Sequence, residues 1–329
     1  MKDDKGNKCG GCSGCSSSDS FADMALKKKG SRRGALAALL GGAATAAASS
    51  ATAAIATDEE KELKRIKRNE FFQKYYRVMD EDERAVTIKR FERKSKLQYD
   101  VDATIDDTSA RPNTLFGYAF NISKCEGSRK CIDACITENN QDRTSNMAYI
   151  KLFEMEEGIG SVHEGDSEYS HETPVDGKYY MGTQCFHCEN PPCTKACPTG
   201  ATWKEPDGIV VVDYNWCIGC RYCEAACPYF ARRFNWKEPE VPKDEINPYQ
   251  HYLGNRMRTK GVMEKCTFCI QRTRKGLNPA CVEACPTGAR VFGNLLDPDS
   301  EIRWILANKK VFRLKEDLGT EPKFWYYMD

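Results

Sequence analysis

Apolar positions along the chain fall into distinct textures. Between residues 58 and 100 they recur with a helical period: Phe72, Tyr75, Tyr76 and Met79 stand at i, i+3, i+4 and i+7, on one face of a helix. Ile88 and Phe91 continue a second, shorter helix after an acidic break at residues 80–83. Such a face either lies on the protein's own core or forms an arm that docks on a partner, since aromatic stripes suit interfaces. From about Asn113 the period is lost among short strands, glycines, prolines and cysteines. Residues 147–156 (MAYIKLFEME) read as a strand, as do residues 209–213 (IVVVD) after the turn residues Pro206, Asp207 and Gly208. Residues 157–178 are a polar insertion expected to form a surface loop. The tail from Asp297 carries one helix and ends EPKFWYYMD.

The N-terminal texture is of another kind. Residues 34–57 carry no charge and are just long enough to span a bilayer. Their only strong hydrophobes are Leu36, Leu39, Leu40 and Ile55, which makes a poor membrane helix. The basic patch before them contains Arg32 and Arg33, and small residues follow; that order describes a twin-arginine export signal. Ser31-Arg32-Arg33 and Leu36 fit the motif, whereas Ala35 departs from the common Phe and the trailing Lys is missing. Cleavage after Ala53 and after Ala56 are both compatible, and an uncleaved signal would act as a tether. No later segment is apolar enough to cross a bilayer. Cys9, Cys12 and Cys15 precede the signal in a Gly/Ser-rich leader and are not read as a metal site.

Composition sharpens the picture at one point. The chain has 329 residues, enough for one or two domains, and a net charge of +1 that gives no electrostatic reason to capture nucleic acid. Its 18 cysteines are several times the usual content, and they come in groups, as in a metal scaffold. Run two is Cys185-x2-Cys188-x4-Cys193-x3-Cys197-Pro198, and run three is Cys217-x2-Cys220-x2-Cys223-x3-Cys227-Pro228. Run four is Cys266-x2-Cys269-x11-Cys281-x3-Cys285-Pro286. Ala-Cys-Pro-Thr-Gly-Ala occurs at 196–201 and again at 284–289, with a looser copy at 226–231. Three closely spaced thiolates can wrap one cubane, while the fourth, beyond a turn, serves the neighbouring cluster. Zinc needs four ligands in one tetrahedron, not runs with reciprocal sharing. Run one, CEGSRKCIDAC at residues 125–135, keeps Cys125, Cys131 and Cys135 but has Ser128 where a fourth cysteine is due.

Four such runs in this order resemble the four-cluster iron–sulfur subunits that accompany molybdopterin oxidoreductases, from about Asn113 to the C-terminus. The resemblance implies that runs two and three share two clusters, and runs one and four the other two. It thereby implies one 4Fe-4S cluster on Cys185, Cys188, Cys193 and Cys227, and a second on Cys217, Cys220, Cys223 and Cys197. A third falls on Cys266, Cys269, Cys281 and Cys135, leaving Cys125, Cys131 and Cys285 for the fourth, with Ser128 at the vacant corner. Three ligands favour a 3Fe-4S cluster there, of higher potential and suited to exchange with a quinone; a Ser-ligated 4Fe-4S cluster and an empty site remain open. The implied fold is α+β: tandem bacterial-ferredoxin-like modules with a pseudo-two-fold arrangement of four clusters, plus an N-terminal helical arm.

Residues 256–272 (RMRTKGVMEKCTFCIQR), 227–235 (CPYFARRFN) and 318–327 (LGTEPKFWYY) resemble more narrowly the iron–sulfur part of alternative complex III and of the related quinone reductase complex of sulfate reducers. The chain is too short for the fused form, so a separate subunit is expected. The implied partners are a polysulfide-reductase-type multi-helix membrane subunit, a molybdopterin-like subunit and a multihaem cytochrome c, on the periplasmic face of the membrane. The expected organisation is an export signal with its leader (1–56), a charged helical arm (57–112), the four-cluster domain (113–296) and a C-terminal docking tail (297–329).

Nothing else in the chain reads as catalytic. His187, inside run two, is either a tuner of a cluster or an ordinary loop residue, and His163 and His171 are expected in solvent, with no partner spacing in the sequence. Arg232 and Arg233 either offset cluster charge or form surface salt bridges. No haem-attachment sequence, phosphate loop or nucleophile elbow occurs. The leading expectation is an electron-transfer subunit of a quinone oxidoreductase complex. A subunit of a molybdenum reductase for polysulfide, thiosulfate or tetrathionate is second, and an exported binding protein stabilised by disulfides or zinc is a distant third.

Overall fold

The computed structural model describes residues 79–329, apart from 146, 159 and 160. The export signal, Cys9, Cys12, Cys15 and the stripe Phe72, Tyr75 and Tyr76 lie outside the described residues, as does the His163 side chain. Among the described residues no helix is long and apolar enough to cross a membrane.

The acidic break at residues 80–83 is the start of a helix, Glu81–Tyr99. The Asp80 side chain accepts from the Glu83 amide at 2.9 Å, and the Glu83 carboxylate accepts from the Asp80 amide at 3.2 Å, forming a capping box. Glu81, Asp82 and Glu83 also complement the positive end of the helix dipole. Ile88 and Phe91 rest on the main core. The Phe91 ring meets Tyr252 at 6.2 Å and carries the Arg256 guanidinium at 4.8 Å. This helix therefore covers the protein's own body, with Val86 and Leu97 left exposed.

The architecture is mixed α+β. Its central strand, Phe116–Asn121, is buried along its whole length because both edges and both faces are covered. It pairs antiparallel with Arg290–Asn294 on one side and parallel with Phe324–Tyr327 on the other, and Val311–Phe312 closes the sheet. The end of the tail is thus an inner strand. Phe324 and Tyr326 are fully buried, and the Phe324 ring stacks on Tyr118 at 4.9 Å. The tail helix Glu301–Asn308 lays Ile302 and Ile305 against the same sheet.

Among the described residues, four two-stranded ribbons accompany this sheet. Lys151–Glu156 pairs with Lys178–Thr183, so the strand expected from residue 147 begins four residues later. Val210–Val212, the centre of the apolar run at 209–213, pairs with Thr202–Lys204. Arg233–Phe234 pairs with Met263–Glu264, and Thr104–Asp106 runs parallel to Tyr249–His251.

The polar insertion at 157–178 is more than a surface loop. Its Tyr169 is buried and donates to the Gly127 carbonyl at 2.7 Å, while Arg129 donates back to the Tyr169 carbonyl at 2.7 Å. The insertion is held down on run one because one aromatic residue among its polar ones finds an apolar seat.

Candidate metal centre

The cysteine loops share one local design. The third residue of each run, counted from its first cysteine, has positive φ: Gly127 at 74°, His187 at 43°, Gly219 at 70° and Phe268 at 54°. That turn folds the following amides toward the first sulfur, as where the Phe268 amide donates to Cys266 Sγ at 3.4 Å. Glycine is required twice over. A Cβ on Gly127 would lie 2.5 Å from the Tyr180 ring, and one on Gly219 would lie 2.2 Å from the Gly261 carbonyl oxygen. Runs one and three match further: Arg129 (φ 58°) and Arg221 (φ 59°) both precede a helix that carries the next cysteine of the run inward. Ser128 therefore occupies the position in its loop that Cys220 occupies in run three.

All 15 described cysteines are free thiols. Their mutual influence sorts them into neighbourhoods. Burial pushes Cys188 up to about 12, and Cys185, Cys193 and Cys227 add to it. Burial pushes Cys223 up to about 11 against the pull of Arg232, with Cys193, Cys197 and Cys217 adding. Cys135 is raised well above its ordinary value by burial and by Cys269, Cys266 and Cys281. Burial raises Cys125 to about 11, opposed by a Gly127 amide and Arg290, with Cys131 and Cys285 as its thiol neighbours. Cys125, Ser128, Cys131 and Cys285 line one hollow with Arg290; Cys185, Cys188, Cys193 and Cys227 line another with Arg232. Cys220 alone among the described thiols is exposed.

Buried positive charge runs through these neighbourhoods. Arg232, Lys265 and Arg290 are all at most 3 % exposed. Burial opposes the charge of Arg232, but Cys193, Cys223 and Cys185 outweigh it and hold the guanidinium above its ordinary value. Arg290 is held up in the same way by Cys131, Tyr118 and Cys281. Arg232 is thus turned to the thiols rather than to a surface salt bridge. Arg233 instead donates to the Ala148 carbonyl at 3.1 Å.

The donor set fits an anionic iron–sulfur cluster. Thiols converge on each hollow, and Arg232 Nη1, Arg290 Nη2 and Gln184 Nε2 are buried without a hydrogen-bond acceptor within the protein. Buried donors left in this state are costly unless a bound group accepts from them.

Two histidines are fixed by specific contacts. His187 is completely buried, accepts from the Val210 amide at Nδ1 (2.9 Å), and stacks on Phe268 with centroids 3.7 Å apart. Burial holds it well below its usual value, so the ring is neutral. The third residues of runs two and four thus meet face to face. His171 is exposed, as expected, and its Nε2 lies 2.6 Å from the Glu154 carboxylate.

Several residues around the sulfurs have no marker in the cysteine pattern. Tyr118 Oη lies 3.4 Å from Cys281 Sγ, Gln141 Nε2 donates to Cys135 Sγ at 3.3 Å, and Asn139 Nδ2 lies 3.6 Å from the sulfurs of both Cys135 and Cys269. Arg290 did have a signal. Cys227-Pro-Tyr-Phe-Ala-Arg232 and Cys285-Pro-Thr-Gly-Ala-Arg290 place an arginine at the same offset in two repeats.

Comparison with known proteins agrees with this chemistry. A family model described as a 4Fe-4S dicluster domain matches residues 177–247 and 243–295. One of the subunits of the selenate reductase of Mesobacillus selenatarsenatis is 40% identical over 217 residues, covering 63% of this chain and 69% of the relative. The Hdr-like menaquinol oxidoreductase iron–sulfur subunit 1 of Archaeoglobus fulgidus is 50% identical over 158 residues, 45% of this chain and 57% of the relative. The iron–sulfur cluster-binding subunit of menaquinone reductase from Nitratidesulfovibrio vulgaris is 33% identical over 237 residues, 64% and 88% of the two chains. With its thiol neighbourhoods, buried cations and matched relatives, the chain belongs to the family of electron-transferring 4Fe-4S dicluster iron–sulfur subunits of molybdopterin-type respiratory reductases and menaquinone reductase complexes.

Proposed function

We propose that this chain is the electron-transfer subunit of a quinone oxidoreductase complex, and that run one marks its quinone end. In this reading Cys185, Cys188, Cys193 and Cys227 hold one 4Fe-4S cluster, Cys217, Cys220, Cys223 and Cys197 a second, and Cys266, Cys269, Cys281 and Cys135 a third. Cys125, Cys131 and Cys285 hold a 3Fe-4S cluster at the Ser128 corner, in a pseudo-two-fold, tandem ferredoxin-like arrangement. When bound, such clusters supply one-electron carriers. The chain's own part is to bring the thiols together, bury nine of the fifteen away from water, and offset their charge.

One observation carries the reading. Run one keeps the backbone of a complete run, with Gly127 and Arg129 matching Gly219 and Arg221, while a hard, hardly ionised hydroxyl replaces the soft thiolate. The loop was altered rather than lost. The 50% identity to a menaquinol oxidoreductase subunit favours quinone chemistry. The 40% identity over 217 residues to a selenate reductase subunit favours the alternative, service to a molybdenum reductase.

The remaining assignments follow from this reading. Export by the twin-arginine signal (1–56) delivers a folded, loaded protein to the periplasmic face. There the cluster domain (113–296), the arm (57–112) through the outer face that carries Val86 and Leu97, and the tail (297–329) through its exposed Trp304 and Phe312 rather than its buried end strand, meet a multi-helix membrane subunit, a molybdopterin-like subunit and a multihaem cytochrome c.

The test is to tag the chain in its native host, purify it from membranes with its partners, assay molybdenum, and add a reduced menaquinone analogue. The proposal expects little molybdenum and bleaching of the visible absorbance by the quinol. Stoichiometric molybdenum, with bleaching reversed only by an oxyanion or sulfur substrate, would transfer the function to the alternative.

A further inference from the structure

We propose that Arg290 and Arg232 are positioning residues of the electron path, each guanidinium shared by two neighbouring clusters and raising the potentials of both. This rests on the ligand sets proposed above. Three contacts join the four thiol neighbourhoods: Arg290 lines the hollow of Cys131 and reaches Cys281 through Tyr118, His187 of run two stacks on Phe268 of run four, and Cys193 packs in one cluster with Cys223 and Cys217. The neighbourhoods therefore lie in a row, from the Ser128 site through that of Cys266 and that of Cys185 to that of Cys217.

A buried cation stands at each junction. Arg290 lines the hollow of Cys125, Cys131 and Cys285. It also reaches the next neighbourhood, since its Nη1 donates to Tyr118 Oη at 3.2 Å and that oxygen lies 3.4 Å from Cys281 Sγ. Arg232 lines the hollow of Cys185, Cys188, Cys193 and Cys227. Its Nη2 donates at 2.8 Å to Thr202, five residues past Cys197 of the adjoining set. At the middle junction Lys265 is wholly buried and donates to the Cys266 carbonyl at 2.6 Å.

Two further facts turn placement into a role. Arg232 and Arg290 both stand five residues past the cysteine of a Cys-Pro pair, so the two halves of the repeat supply them equivalently. Each also keeps one terminal nitrogen, Arg232 Nη1 and Arg290 Nη2, buried with no acceptor in the protein. A donor in that state is available to sulfur. A fixed positive charge in a low-dielectric interior favours the more negative, reduced form of whatever lies beside it. Arginine suits the task because its charge survives burial.

The test is an EPR-monitored redox titration of the iron-loaded full chain carrying R290Q or R232Q, with R290K and R232K as controls. Wild-type iron and sulfide content is measured first; a content far below four clusters would defeat the ligand reading, independently of any variant. With that content met, R290Q is expected to lower the potentials of the Ser128-site cluster and the Cys266 cluster and to leave the other two unmoved. R232Q is expected to do the reverse, and each lysine variant to restore most of the shift. No shift, or an equal shift in all four clusters, would overturn the proposal. Should a glutamine variant lose iron, the lysine variant is titrated in its place. Near-wild-type potentials there support the retained charge as the operative property, and potentials lowered in all four clusters overturn it.

Discussion

Arg258 offers the clearest energetic consequence of the buried charges. Its side chain is fully buried; Nε lies 2.9 Å from Glu264, Nη1 donates to the Asn139 carbonyl at 2.7 Å, and Nη2 donates to the Asn140 carbonyl at 2.8 Å. Those carbonyls directly follow the helix Lys130–Glu138 that carries Cys131 and Cys135. Replacing Arg258 by Met fills the volume but strands Glu264. Breaking a buried pair by removing one partner costs about 3–5 kcal/mol. Glu264 keeps two donors, Tyr149 Oη at 2.7 Å and Asn235 Nδ2 at 2.9 Å, which argues for the lower end. Three orphaned carbonyls, those of Asn139, Asn140 and Arg256 (which accepts from Nη1 at 3.0 Å), add about 1 kcal/mol each. The expected loss is about 6 kcal/mol, a fall in thermal midpoint on the order of 12–24 °C for a body of this size. The double variant Arg258→Met/Glu264→Gln removes the stranded charge and is expected to recover about 2 kcal/mol. The assay is thermal unfolding at a fixed scan rate with the visible absorbance followed in parallel, because a cofactor-bearing protein does not unfold in two states. A single variant within about 2 °C of wild type, or a double variant no better than the single, would refute the reasoning.

Three further outcomes follow. Gly219→Ala forces a Cβ to 2.2 Å from a backbone oxygen at φ 70°, so the Cys217 neighbourhood should lose iron while run two's other partners keep theirs, as read by iron per chain. Ser128→Cys should add about one iron per chain and abolish the EPR signal of the oxidised protein, whereas Ser128→Ala should leave both unchanged. His251 is buried, accepts from the Leu253 amide at Nδ1 (3.1 Å), and has Nε2 3.1 Å from the Thr108 carbonyl; burial lowers it to about 4. Its folded value lies below the unfolded one of about 6.5, so the unfolded state binds the proton first. Stability is then lost as pH falls from about 6.5 to about 4, by roughly 3 kcal/mol in all. His251→Asn should flatten that part of the pH–stability curve, and an unchanged slope would exclude His251 as its source.

How far the molecule was legible depended on whether a residue's role was local. The cysteine runs were readable because cluster spacing is a local constraint, and the Val210–Val212 strand because a run buried on both faces is apolar throughout. The start of the helix Glu81–Tyr99 was visible as a break, yet its meaning as a capping box lay in Asp80 and Glu83 reaching each other. Long-range roles were hidden. Nothing around Lys265 distinguishes a fully buried ammonium from a surface lysine, because what buries it is the meeting of runs two and four. Residues 324–327 read as the end of a tail, although they enter the central sheet through pairing with a strand two hundred residues earlier. Tyr169 carries no mark in the sequence beyond its place in a polar insertion, because its seat over Gly127 is supplied by run one. Arg290 could have been found, since its offset from Cys285 repeats that of Arg232 from Cys227.

The central claim is that Ser128 marks an altered cluster rather than a lost one, and EPR of the oxidised protein as isolated, with iron quantified per chain, tests it most directly. An oxidised three-iron cluster is paramagnetic, whereas oxidised low-potential cubanes are silent. The account predicts a near-stoichiometric signal that vanishes on mild reduction, with about fifteen irons per chain. Silence with about sixteen would mean a fourth cubane completed by serine or another ligand, and silence with about twelve would mean an empty site. Either silence would contradict the account.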